Sequence, residues 1–200
     1  MKTLTREERF IRLAAKSIMH GLKTRRTMGM GDLEFDSELS GLGACFVTLQ
    51  HNGQLRGCIG STEARRPLGE DLVINAYNTA FNDIRFPRLN ASELEGLEIE
   101  LSILTSPKPL VAKNEEHLIE QLRPGVDGVI IEDQGAKAIF LPTVWSSLPD
   151  PVDFIANLKR KARLGSRPLS SKFIAWRFET EKIKSSEALG GMPLWDFDSL

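Results

Sequence analysis

The run Leu55-Arg56-Gly57-Cys58-Ile59-Gly60-Ser61 sets one thiol between two glycines, two residues after an arginine. A thiolate is a nucleophile and a redox group, and a guanidinium two residues along the same strand face stabilises it. Gly57 and Gly60 remove side chains that would screen the sulfur. Cys58 is therefore the candidate nucleophile or redox thiol, and Arg56 its candidate thiolate or anion partner. A plainer reading stands beside this one: Cys58 is a small buried hydrophobe, and the glycines end a strand.

Other residues extend the chemistry. In Asn82-Asp83-Ile84-Arg85-Phe86-Pro87, Asp83 and Arg85 either orient a substrate at a pocket mouth or close a structural turn with a surface ion pair. Glu100 is a candidate proton carrier if its strand face borders a cleft, and an ordinary solvated charge if that face meets water. The loop from Gly60 to Arg66 precedes a helix whose N-terminal amides suit an anion, which adds Ser61 to Arg56, Gly57, Gly60, Asp83 and Arg85 as candidate substrate-binding residues. A plain β-to-α connection explains the same loop. A cysteine-phosphatase loop is excluded, because Ala64 stands where its arginine belongs. His20, His51 and His117 show no ligand spacing, so no metal is assigned, and no cofactor either. Lys159, Arg160, Lys161 and Arg163 fit a solvated helix terminus, or else a patch for RNA.

These residues need elements to position them. Thr5-Arg6-Glu7-Glu8 reads as a capping box opening a helix to about Lys23, with Phe10, Ile11, Ala14, Ile18 and Leu22 at helical spacing. Ala44 to Gln50 has strand composition, and Asn52-Gly53 signals a two-residue type I′ hairpin into the thiol strand. That turn places Cys58 opposite Val47, Arg56 opposite Leu49 and Gly60 opposite Cys45, so Cys45, Arg56 and Cys58 share a face unless a bulge at Gly57 shifts the register. A helix then starts at Pro67 and runs to about Phe81. Strict alternation from Gly96 to Ile103 turns Leu97, Ile99, Leu101 and Ile103 inward and Glu98, Glu100 and Ser102 outward.

Asn114 caps a short helix to Arg123. A second hairpin spans 128–141, Pro151 opens another helix, and a last strand at 173–178 precedes a polar tail, expected to be flexible over about 186–200. The order implies an α+β domain over residues 1–200, with a mixed or largely antiparallel sheet flanked by helices.

Composition narrows the function class. The 26 Lys and Arg nearly balance 27 Asp and Glu, so no global field favours nucleic acid or an anionic membrane. No stretch approaches the ~20 apolar residues that span a bilayer, and the charged start lacks a signal-peptide core. A cytoplasmic protein is expected. Two cysteines argue against a disulfide scaffold, and the hairpin keeps Cys45 and Cys58 too far apart to bridge.

Leu55-Arg56-Gly57-Cys58-Ile59-Gly60 resembles the six-residue signature of the AMMECR family, the component A proteins of the AmmeMemoRadiSam system. The likeness continues through Pro67-Leu68, Asp83-x-Arg85-Phe86-Pro87, Leu97 to Ser102, Asp127-Gly128 and Phe140-Leu141-Pro142-x-Val144-Trp145. Two departures stand out. Lys159 and Arg163 interrupt a pattern that commonly reads Leu-Cys-x-Lys-Ala-Gly-Leu, and Ile84 and Arg88 replace prolines of an Asp-Pro-Arg-Phe-Pro-Pro form. The resemblance implies an α+β architecture with a smaller subdomain and the signature in a cleft. It also implies association with a Memo-type protein and a radical S-adenosylmethionine protein, which favours redox or modification chemistry. Three functions are thus carried forward: an enzyme or enzyme subunit centred on Cys58, a non-catalytic ligand- or protein-binding module, and an RNA-binding protein.

Overall fold

Thr5 opens the first helix as its spacing predicts: the Glu8 N–H donates to the Thr5 hydroxyl at 3.2 Å and the Thr5 N–H donates to the Glu8 carboxylate at 2.6 Å. The computed structural model describes residues 4–29, 31 and 36–195. Its elements are α1 (Arg6–Thr24), α2 (Ser37–Ser40), β1 (Leu42–Gly43), β2 (Cys45–His51), β3 (Gln54–Gly60), β4 (Arg66–Pro67), α3 (Leu68–Phe81), β5 (Leu97–Leu104) and β6 (Lys108–Leu110). There follow α4 (Glu115–Glu120), β7 (Gly128–Asp133), β8 (Ala136–Phe140), α5 (Pro151–Lys161), β9 (Ile174–Phe178), β10 (Thr180–Lys184) and α6 (Ser185–Ala188). The chain divides into two units, residues 1–103 with 181–200, and residues 104–180.

In the first unit the sheet order is β10-β5-β2-β3, with β2 antiparallel to both β3 and β5. One face is apolar because alternate residues of β2 and β5 are: Cys45, Val47, Leu49, Ile99 and Leu101 are buried there against Phe10, Ile11 and Ile18 of α1 and Leu72 and Ala76 of α3. A short antiparallel ribbon, β1 with β4, leads into α3. Pro67 belongs to that ribbon, and the helix begins one residue later than expected.

The hairpin turn is as predicted, with Asn52 and Gly53 both at positive φ (51° and 77°). The register beyond it is not. Gln50 faces Leu55, but Leu49 faces Gly57, Thr48 faces Cys58 and Phe46 faces Gly60, so Arg56 is the extra residue of a bulge. Tight helix packing accompanies the shift: a Cβ on Gly57 would lie 2.6 Å from the Thr79 carbonyl oxygen of α3. The Thr79 hydroxyl accepts the Ile59 N–H at 3.1 Å and lies 3.1 Å from the Val47 carbonyl oxygen. A one-residue slip exchanges the faces of every following side chain, so Cys58 lies on the opposite face from Cys45.

The second unit carries the sheet β6-β9-β7-β8, all of whose pairs are antiparallel. Its core joins Val129 and Ile131 of β7 to Phe154, Ile155 and Leu158 of α5, with Trp145 stacked on Phe154 at 3.8 Å between ring centroids. The fold is thus α+β with antiparallel sheets, as the element order implied. One correction concerns the segment after Phe178, read as polar tail. Thr180–Lys184 forms β10, with only Ile183 buried, so its sequence carries little alternation to reveal a strand at the sheet edge. Ser185–Ala188 continues as α6 and Leu189 is buried, while residues 196–200 of the tail expected to be flexible lie outside the described residues.

Candidate functional site

Every candidate site residue lies in the first unit. Cys58 sits on β3, the edge strand, and shares a face with its direct partner Thr48, whose Oγ1 donates to the Cys58 Sγ at 3.3 Å. An edge strand leaves backbone groups without a neighbouring strand, and here side chains fill that role. Asp83 Oδ2 accepts the Cys58 N–H at 2.9 Å, and Arg85 Nη2 donates to the Cys58 carbonyl at 3.1 Å. The pair is itself tied, Nε to Oδ1 at 2.9 Å and Nη2 to Oδ2 at 2.7 Å. The Arg85 hydrogen bonds, joined by the Cys58 N–H, hold the Asp83 carboxyl far below the usual carboxylate range, against the opposing pull of burial. Both backbone groups of the thiol residue are therefore clamped from one short loop.

Arg56 does not stand beside the sulfur. As the bulge residue it is only 8% exposed, with Nε on Glu93 Oε1 at 2.6 Å and Nη2 on both Glu93 Oε2 (3.2 Å) and the Pro87 carbonyl (2.8 Å). Phe86 lies near both arginines, its ring centroid 5.8 Å from the Arg56 guanidinium carbon and 5.5 Å from that of Arg85. Arg56 thus braces the loop that clamps Cys58, and the cation at the Cys58 peptide is Arg85. Glu93 was not among the candidates, although Asn90-x-x-Glu93 has capping-box spacing and does form one, its carboxylate accepting the Asn90 N–H at 3.0 Å. Thr48 and Thr79 were missed as well; nothing marks a strand or helix threonine as special before the register is known.

Ser61 and the glycines have structural tasks. The Ser61 hydroxyl donates to Asp71 Oδ1 at 2.6 Å, within a buried network in which Asp71 Oδ2 also accepts the Cys45 and Asn75 N–H groups at 2.9 Å each, and Arg66 reaches Oδ1 at 3.0 Å. Burial and the Asp71 charge push the Cys45 thiol up. A Cβ on Gly60 would meet the Phe46 ring at 2.3 Å and the Cys45 carbonyl oxygen at 2.6 Å. Glu100, on β5, is the direct partner of Thr48 on β2 and lies on the Cys58 side of the sheet, two strand spacings or ~10 Å from the thiol strand. It lies 3.5 Å from Lys182 and edges a depression of about 190 Å³ that Gln50, Glu98, Lys184 and Glu187 also line.

The model of the AMMECR1 family matches residues 11–183. The chain belongs to the AMMECR1 family. Among relatives of this AMMECR1 chain, a protein of Methanothermobacter thermautotrophicus is 39% identical over 120 residues, 60% of this chain and 62% of that one. The chain spans less than two thirds of that relative. A protein of Methanosarcina acetivorans is 31% identical over 196 residues, 95% of this chain and 96% of the other. The crystal structure of an uncharacterised protein from Pyrococcus horikoshii superposes with a TM-score of 0.70 at 30% identity, covering 88% of this chain and 89% of that one.

Among the described residues of this AMMECR1 chain, no group of three or more His, Cys, Asp or Glu is placed to hold a metal ion, and no helix is long and apolar enough to cross a membrane. The groups that converge are a thiol, a hydroxyl that donates to it, a locked peptide, and a half-exposed guanidinium. That set can present a sulfur nucleophile in a fixed direction with a cation nearby for a negatively charged reacting group.

Proposed function

We propose that this AMMECR1-family chain is an enzyme or enzyme subunit whose working group is the Cys58 thiol, acting with a Memo-type protein and a radical S-adenosylmethionine protein in modification or redox chemistry. The observation that carries the reading is the fixed thiol: Asp83 and Arg85 hold both backbone groups of Cys58 while the Thr48 hydroxyl donates to its sulfur, so the sulfur is presented in one direction with a half-exposed cation close to its peptide. In the modification step the Cys58 sulfur attacks an electrophilic centre of the substrate. A bond from sulfur to that centre forms, the leaving group departs with its electron pair, and the thiol proton passes to water, from which Glu100, two strands away on the same sheet face, takes it up. Arg85 orients a negatively charged substrate group beside the thiol.

The direct test is alkylation of the native protein with iodoacetamide near neutral pH, read by mass spectrometry at both cysteines. Cys58 should be modified while Cys45 is spared, and Cys58→Ser should abolish turnover in a system reconstituted with both partners. A Cys58 as inert as Cys45, or turnover unchanged by Cys58→Ser, refutes the proposal.

One feature favours a second reading, a binding module. Ile84 is fully exposed between the two clamp residues, where its side chain is available as an apolar anchor for a partner. That reading requires Cys58→Ala to preserve partner binding and Ile84→Asp to abolish it.

A further inference from the structure

Between Asp153 and Glu179 the sequence carries seven Lys or Arg and no Asp or Glu. The second unit spends several of these cations internally. Lys159 is buried on the Glu115 carboxylate at 2.7 and 2.8 Å, Lys161 donates to the Ile139 carbonyl at 2.8 Å on the sheet edge, and Arg160 reaches Asn157 at 2.9 Å. Of the four that remain, Arg163 and Arg167 are exposed and without an ion pair among the described residues. Both line a groove of about 570 Å³ between the β7–β8 turn and the loop that follows α5. That volume lies within the range of small-molecule sites.

The rest of the groove suits an anion. The N–H groups of Gly165, Ser166 and Arg167 pair with no protein group among the described residues, and the Ser166 hydroxyl stands with them. The one acid in the lining, Asp133, is buried and accepts both the N–H and the hydroxyl of Ser170. Ala136, Leu164 and Pro168 supply apolar wall. Arg163 moreover holds a left-handed conformation, φ 61°, at the end of α5, where the Leu164 N–H returns to the Lys159 carbonyl at 3.0 Å. Glycine is the residue that fits such a helix end without strain.

We propose that this groove binds a small organic phosphate, with the phosphoryl group held by Arg163, Arg167 and the amides of residues 165–167, and the organic part against Leu164 and Pro168. Guanidinium forks match phosphate geometry, and free loop amides add donors that need no rearrangement. The site is independent of Cys58 and stands or falls without it.

The test is an amide chemical-shift titration of the full chain with AMP, with adenosine as the phosphate-free control. AMP should shift Gly165, Ser166 and Arg167 saturably and adenosine should not. Arg167→Ala and Arg163→Gly should each weaken AMP by about tenfold. Arg163→Gly should at the same time raise the melting temperature, which separates a lost ligand contact from a damaged fold. No saturable shift with AMP, or shifts indifferent to both substitutions, overturns the proposal. So does binding of oligouridylate with a steep salt dependence in the absence of any AMP binding, which would assign the patch to RNA instead.

Discussion

Removing the Asp83 carboxylate should loosen the thiol residue by an amount that depends on pH. In Asp83→Ala the Cys58 N–H loses its acceptor on the outer edge of the sheet, where no further strand can replace it. Leaving such a donor unsatisfied costs about 1–3 kcal/mol. The Arg85 side chain is half exposed and regains water, so the ion pair itself adds little. A loss of about 2 kcal/mol in urea unfolding near neutral pH is therefore expected. The sign with pH follows from the depressed folded-state pKa of Asp83. Its stabilisation is fully present above the unfolded value of about 3.9 and fades as pH falls through the lower folded value. The difference between wild type and variant should accordingly shrink on acidification below about pH 4. Hydrogen exchange supplies a local readout, since the Cys58 amide should lose protection before the core of β2 does. A difference under about 0.5 kcal/mol near neutral pH, or one that stays constant into acid, would show that the clamp does not hold the strand.

Glu93→Gln and Arg56→Met should diverge: the first leaves a buried guanidinium without its anion and should cost about 3 kcal/mol, while the second removes both the charge and its need for a partner and should cost less, as urea titrations would show. Gly57→Ala should destabilise by about 1–3 kcal/mol, because the new methyl meets a backbone oxygen that cannot rotate away; chemical denaturation at an unaltered level would contradict the close approach of α3. Lys159→Ala should lower the melting temperature of the protein more than Lys161→Ala, since it strands Glu115, which also accepts the Leu169 N–H at 2.9 Å.

Much of the architecture was legible in the chain. The Thr5 capping box, the Asn52-Gly53 turn, the alternation of β5 and the start of α5 are local signals, and each names its own structure. The site was less legible because it depends on one extra residue. Arg56 follows the hairpin pattern until the bulge, and only the proximity of Thr79 reveals that the register has slipped. The arginine at the Cys58 peptide is therefore the one 27 residues downstream, not the one two residues upstream. The charge run at 159–163 divides in the same way, Lys159 inward and Arg163 outward, according to helix phase and a partner on α4 that no local pattern discloses. The β10 strand was invisible because its partners, not its own composition, make it a strand.

The interrupted layout of the first unit has a consequence for biosynthesis. The chain leaves that unit after Ile103 and re-enters it at Glu181, so a ribosome delivers all of residues 104–180 before the fourth strand of the first sheet exists. Until then β5 is an edge, with Ile99 and Leu101 on it and open backbone groups along it. Folding of the inserted unit brings its two ends together, through β6 against β9 and the Thr105 N–H on the Glu179 carbonyl at 2.9 Å. The nascent chain then need not search for the strand that closes the sheet: loop closure has already been accomplished by a neighbour that folded first.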